Sequence, residues 1–330
     1  MRIIHSMLAL AIAGLLAGCG PQEPPAPSGS AAPAAASPRA QKPQRPGNAT
    51  AEEVAAEARG EVRCPAKIKS PARAANTPVD DVVGVRPGLT YEEAASVVLC
   101  SHELLVASPP TTQGFNIKTY DATIRQGFSA RFAEPRVVKS SQQIMKEMQD
   151  EWQARSGNAV RQDMQPGQSK WYVSTMGLPG QERVIAAARE EWFAEGRNPT
   201  MQSVADALIK KYGDPTRHQV APHVINLVWT YDPRGRFVSE TSPLANRCVA
   251  MSSPDGGSNF SPDCGLVVAA QIWPLRDNPA LSQHFQVGVA DQANGYQLIV
   301  DTEQALENQE MAKRKQQVED AAKNADRPQL

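Results

Sequence analysis

Gly84-Val85-Arg86-Pro87-Gly88-Leu89-Thr90 runs directly into Tyr91-Glu92-Glu93-Ala94, and this junction sets the reading of the chain. Thr90 is a good helix N-cap, and Glu93, three positions on, completes a capping box in which each side chain serves the other residue's backbone N–H. Tyr91, Ala94, Ala95, Val98 and Leu99 then recur at helical spacing, which predicts a helix with one apolar face. A second junction of this kind stands at Asn198-Pro199-Thr200. Met201, Val204, Ala205, Leu208, Ile209 and Tyr212 keep the same rule, Gly213 stops the helix, and Pro215 lies just beyond the stop. The strand Ile225-Leu227-Trp229-Tyr231 follows, with its apolar residues on one face.

Outward from these two junctions the pattern is mixed. Phe115–Tyr120 and Gly127–Phe132 predict short strands. Ile144, Met145, Met148 and Trp152 mark a helix over roughly Lys139–Ala154, and Lys170–Thr175 predicts another strand. Glu182–Phe193 is ambiguous: Val184, Ala186 and Ala188 alternate as in a strand, whereas alanine and glutamate favour helix. The turn-like Gly177-Leu178-Pro179-Gly180 before it tips the balance to a hairpin strand. Asn246–Met251 and Gly265–Trp273 predict strands on either side of a polar loop, and Phe285, Val287 and Val289 alternate in one more. Nearer the start, Ala51–Arg59 predicts a helix ended by Gly60, with a strand at Glu61–Ile68 that carries Cys64. From Thr302 the chain turns polar, as a solvated helix or tail. The fold class is therefore α+β, an antiparallel sheet with packed helices, in a composite domain over 51–300 followed by a polar segment over 301–330.

The strings Gly-x-x-x-Gly-Leu-Thr-x-x-Glu-Ala at Gly84–Ala94 and Ala-Leu-x-x-x-Tyr-Gly-x-Pro at Ala207–Pro215 resemble the two ends of one helical segment in the SmpA/OmlA-type (BamE-like) lipoprotein domain. That resemblance implies two helices packed on a three-stranded antiparallel sheet, here duplicated or expanded because the two strings lie far apart. It also implies a role accessory to β-barrel assembly at the outer membrane.

The amino terminus reads as an export signal. Arg2 supplies positive charge, and Met7–Leu16 a short apolar run, too short for the roughly 20 residues of a spanning helix. Leu16-Ala17-Gly18-Cys19 then resembles the lipobox of bacterial lipoproteins. The resemblance implies a signal over 1–18, cleavage before Cys19 and acylation of that cysteine. Gly20, where an aspartate would retain the protein at the inner membrane, implies anchoring in the outer membrane, on its periplasmic side. Eight prolines between Pro21 and Pro46, set among Ala, Ser, Gly and Gln, make 19–50 a disordered linker that cannot bury enough apolar surface to fold.

Composition and chemistry narrow the function. A chain of 330 residues with 41% hydrophobic residues can build a substantial core, and its formal charge of -1 gives no electrostatic case for nucleic acid. Four cysteines remain beyond Cys19, and an oxidising compartment favours disulfides, with three connectivities open. Antiparallel strands around the polar loop would bring Cys248 to Cys264, leaving Cys64 and Cys100 by elimination. No nucleophile elbow, zinc-protease motif, phosphate loop or Cys-x-x-Cys occurs, so no catalytic residue, metal ligand or cofactor is assigned. His102, His218, His223 and His284 read as surface or satisfied side chains, and the oxygens of Asp255–Asp263 as turn chemistry rather than a calcium loop. Adjacent acids such as Asp80-Asp81, Glu92-Glu93 and Glu190-Glu191 do not face a common site. The expected function is a non-enzymatic interaction or accessory module, held to the bilayer through Cys19 beside envelope or outer-membrane assembly proteins. Trp171, Tyr172, Trp229 and Tyr231 are the candidate contact residues, with plain core packing as their other reading. The competing classes are a periplasmic hydrolase with a site scattered in sequence, and a binding module for cell-wall or small ligands.

Overall fold

Threonine caps open the principal helices. The structure, a computed structural model, describes residues 47–60, 62, 64, 77–110, 114–156, 164–249, 251–324 and 326. Cys19, the signal-like run and the proline-rich stretch lie outside these residues. In α1 (Ala51–Arg59) the Thr50 hydroxyl accepts the Glu53 N–H, while the Glu53 carboxylate accepts the Thr50 N–H. In α2 (Tyr91–Leu99), Thr90 and Glu93 form the same box. The chain continues through β1 (Leu105–Ser108), β2 (Gly127–Phe132), α3 (Ser141–Ser156), β3 (Ser169–Met176) and β4 (Arg183–Trp192). It then runs through α4 (Met201–Tyr212), β5 (Arg217–Ala221), β6 (Val224–Thr230), the short α5 (Leu244–Arg247), β7 (Leu266–Leu275), β8 (Asn278–Asp291) and α6 (Gln292–Asn324). The strands form one eight-stranded antiparallel sheet in the order β1-β2-β3-β4-β8-β7-β6-β5. The class is α+β, as the pattern predicts.

That order divides into two similar halves. In each, one helix precedes a meander of four neighbouring strands: α2 before β1–β4, and α4 before β5–β8. The N-cap of each helix bridges to the last strand of its own half, Thr90 to Arg183 and Thr200 to Leu281. Arg183 and Leu281 are as far apart in sequence as Arg189 and Val287, which pair with each other across β4 and β8. A local two-fold axis therefore passes through the Arg189–Val287 pair. Four strands under one principal helix differ from the two helices on three strands that the BamE-like resemblance implies.

Both helices cover the same face. Val97, Val98, Val204 and Leu208 join Trp171, Val184, Trp229, Val268 and Val289 in one apolar cluster, each large side chain contributing roughly 1.5–3 kcal/mol by burial. The indole N–H of Trp229 stays satisfied, donating to the Gly213 carbonyl at 2.7 Å. The opposite face carries small residues, Ala186, Ala188, Gly288 and Ala290, so backbone can come close. A Cβ at Gly288 would sit 2.0 Å from the Ser252 carbonyl oxygen, and one at Gly295 of α6 would meet the Phe260 ring at 2.5 Å. The loop before β7 and the first turns of α6 thus seal the second face.

Several expectations change. Phe115–Tyr120 is not a strand, because side chains take its backbone groups: Phe115 N–H donates to the Gln126 side chain, whose amide donates back to the Phe115 carbonyl, and Lys118 N–H donates to Glu303 of α6. The described residues of Asn246–Met251 are not in a strand either. The Cys248 N–H closes a turn onto the Leu244 carbonyl, and the Cys248 carbonyl accepts the Thr230 hydroxyl, leaving neither for a neighbour. Most of Glu61–Ile68 lies outside the described residues, and Val62 and Cys64 are not in a strand. The last helix begins at Gln292 rather than Thr302, with Thr302 and Leu306 buried and the turns beyond Glu310 exposed. In α3 the apolar Ile144, Met145 and Met148 are exposed.

Candidate functional site

The two-fold axis marks a cleft of about 560 Å³ on the helical face. Strand alternation places Arg189, Glu191 and the following Phe193 on its floor beside Phe285 and Val287 of β8. One wall is α4, through Val204, Leu208 and Lys211. The other is the turn Val82–Val85, whose ends exchange backbone hydrogen bonds of 2.8 and 3.0 Å. Val82 and Val85 are fully buried, while Val83 is 50% exposed and adopts φ 47°. Positive φ in a β-branched residue costs on the order of 1–3 kcal/mol and persists only where the surroundings impose it. Asp81 imposes it here: its carboxylate accepts the Gly84 N–H at 2.9 Å and the Lys211 ammonium at 2.9 Å, and its carbonyl accepts the Tyr212 hydroxyl at 2.8 Å.

The floor holds charge among apolar side chains. Arg189 Nη1 donates to Glu191 at 2.5 Å, and the guanidinium lies 5.5 Å from the Trp171 ring centroid. Arg189 Nε is buried with no hydrogen-bond partner among the described residues, as is Trp171 Nε1 on the paired position of β3. An apolar recess with a few fixed polar groups is the usual composition of a small-ligand site.

The opposite face carries an aromatic ladder. The His284 ring stacks between Trp192 at 4.6 Å and Trp273 at 4.5 Å, one residue from each of three adjacent strands. Burial, with help from the nearby Lys170 charge, lowers the imidazole pKa to about 4. Next to it, burial pulls Lys170 down, but Asp255 and Glu190 outweigh that and hold its pKa above the ordinary lysine value.

The residues singled out from sequence scatter. Trp171, Tyr172 and Trp229 are core, each at most 4% exposed, so they cannot be contact residues as the sequence reading offered; packing between sheet and helices absorbs them. Tyr231 is half-buried, edge-on to the exposed Phe237. Cys248 bonds Cys264 and Cys64 bonds Cys100, so Cys100 beside His102 is no nucleophile. His102 packs on Phe132, and His218 and His223 are exposed. Asp255 holds Lys170 and Asp263 holds Arg247. Among the described residues no cluster of His, Cys, Asp or Glu could hold a metal ion, and no helix is long and apolar enough to cross a membrane. Sequence reading missed Arg189, Glu191 and Lys211. Their signal, two charges at alternate positions of an otherwise inward-facing strand, is hidden by a bulge opposite Ser174 and Thr175 that puts Val184 and Ala187 on the same face. No family model, curated protein or solved structure matches this chain.

Proposed function

We propose that this protein is an acyl-anchored envelope module that binds its target in the cleft between the two halves rather than turning it over. The observation that carries the reading is the cleft itself: apolar walls from three elements converge on one ion pair, Arg189–Glu191. The hydroxyls of Ser203 and Tyr212 on its wall are committed to the Thr200 and Asp81 carbonyls, so they serve the helix cap and the Val82–Val85 turn. Cys19 would hold the protein in the outer membrane on the periplasmic side, and the linker to Pro46 would let the domain search nearby, raising effective concentration without new contacts. The strings at Gly84–Ala94 and Ala207–Pro215 support a place among the accessory proteins of envelope assembly.

Two experiments test this. Cys19→Ser should abolish lipid labelling and release the protein from the membrane fraction; normal maturation of that variant would refute the anchor. Native mass spectrometry and crosslinking of the tethered protein should recover a bound species that Leu208→Trp, which fills the cleft, displaces. Reproducible hydrolase turnover by the purified protein, lost on replacing Arg189 or Glu191, would overturn the binding reading.

A further inference from the structure

We infer that the cleft takes a single-chain amphipathic anion, with an apolar tail over Phe285 and Val287 and an acidic head at Arg189. This deepens the proposed function and rests on the cleft being the binding site.

Three observations converge. The first is the lining: Val83, Phe193, Val204, Leu208, Phe285 and Val287 enclose a recess of about 560 Å³, within the range that small ligands fill. The second is the guanidinium. Arg189, its side chain 20% exposed, spends Nη1 on Glu191, and among the described residues no hydrogen bond engages its Nη2 or its buried Nε, so the planar guanidinium keeps donor capacity for a carboxylate. Lys211, paired with Asp81, stands at the wall as a second cation.

The third observation excludes an extended peptide added as a strand. An extended peptide binds chiefly through main-chain hydrogen bonds to an open strand. Here the floor strands are central ones: β4 is paired on both sides, with β3 and β8, and β8 likewise with β4 and β7. The wall helix α4 uses its own backbone internally. An extended peptide laid in this cleft would leave its N–H and C=O groups unpaired, at a cost for each. A hydrocarbon chain has none to satisfy. The cleft therefore suits an uninterrupted apolar body carrying one acidic end.

The test uses the full chain with Cys19→Ser, purified under oxidising conditions without detergent, titrated calorimetrically with butanoate, hexanoate, octanoate and octanol. Affinity should tighten roughly fourfold for each methylene buried, and octanol should bind at least tenfold more weakly than octanoate. Arg189→Gln should bring octanoate down to the level of octanol and leave octanol unchanged. Glu191→Gln, which frees the guanidinium, should tighten octanoate severalfold, a gain that misfolding cannot mimic. If octanoate and octanol bind alike, and Leu208→Trp weakens both, the cleft is a site but the acidic head is wrong. If octanoate binds and Leu208→Trp leaves it untouched, the ligand sits elsewhere and both this inference and the cleft reading fail. No binding by any probe overturns the inference, while the species displaced by Leu208→Trp in the native protein still decides the cleft.

Discussion

Arg125 shows how much one residue can decide. Its guanidinium donates to Glu182 at 2.8 Å and to Glu92 at 2.5 Å, and lies 4.3 Å over the Tyr91 ring. Glu182 has a side chain only 1% exposed. Burial pushes its carboxyl up, but hydrogen bonds from Arg125 and the backbone outweigh that and hold it below the ordinary range. This contribution is present above the usual carboxyl pKa and is lost as pH falls through the lower, folded value. Arg125→Met should cost about 2–3 kcal/mol in urea unfolding, because it strands a buried carboxylate. Adding Glu182→Met should recover much of that loss. His284 acts with the opposite chemistry. Between its ordinary 6.5 and its folded value of about 4, the unfolded chain takes up a proton that the stacked imidazole refuses. Stability should therefore fall as pH drops across that window. His284→Phe keeps the stack and should flatten the loss, read as the melting temperature at pH 7 against pH 4.5.

At the scale of elements, the Val82–Val85 turn and the two disulfides carry the argument. Val83 sits at φ 47° beside Gly84 at 87°, a pair of positions that glycine or asparagine would occupy without strain. Val83→Gly should raise the melting temperature by roughly 2–4 °C, the shift that about 1 kcal/mol produces in a domain of this size. An unchanged or lower value would show that Val83 contributes contacts outweighing its strain. The bonds Cys248–Cys264 and Cys64–Cys100 close loops with sequence separations of 16 and 36. In the chain-entropy model each stabilises by about 3–4 kcal/mol. Peptide mapping without reduction should recover these two pairs, and reduction should lower the melting temperature. Cys64–Cys248 or Cys100–Cys264 linkages would contradict the arrangement of both elements.

At the scale of the molecule, the joint between halves is a strand pair and a shared core. β4 and β8 zip the two meanders together, and residues of α2 and α4 belong to one apolar cluster. The described fold should accordingly unfold in one calorimetric transition despite its internal repetition. Two separable transitions would show that the cluster does not couple the halves. Gly288 is the sensitive point on the far face. Gly288→Val should detach the loop around Ser252 and lower stability by several kcal/mol through overpacking against backbone.

Local chemistry was legible where it acts over a few residues. The Thr90–Glu93 box, the Thr200 cap, the Gly213 stop and the hairpin before β4 could all be read from the chain, since capping and turn formation involve neighbours in sequence. Alternation exposed β3, β4, β7 and β8, and with them the α+β class. The same reasoning passed over Thr50 as a cap, although Glu53 stands three residues on. It also left the buried Trp171, Tyr172 and Trp229 open between core and contact surface, because an aromatic residue packs equally well against a core or a partner. Only the tertiary structure decided the strand order, the local two-fold and the cleft. Which strands meet depends on long-range burial, and a single bulge in β4, opposite Ser174 and Thr175, resets the face of every residue that follows it on that strand. Arg189, Glu191 and Lys211 line one cleft because β4 pairs with β8 and α4 packs on β8, and no spacing along the chain records that meeting.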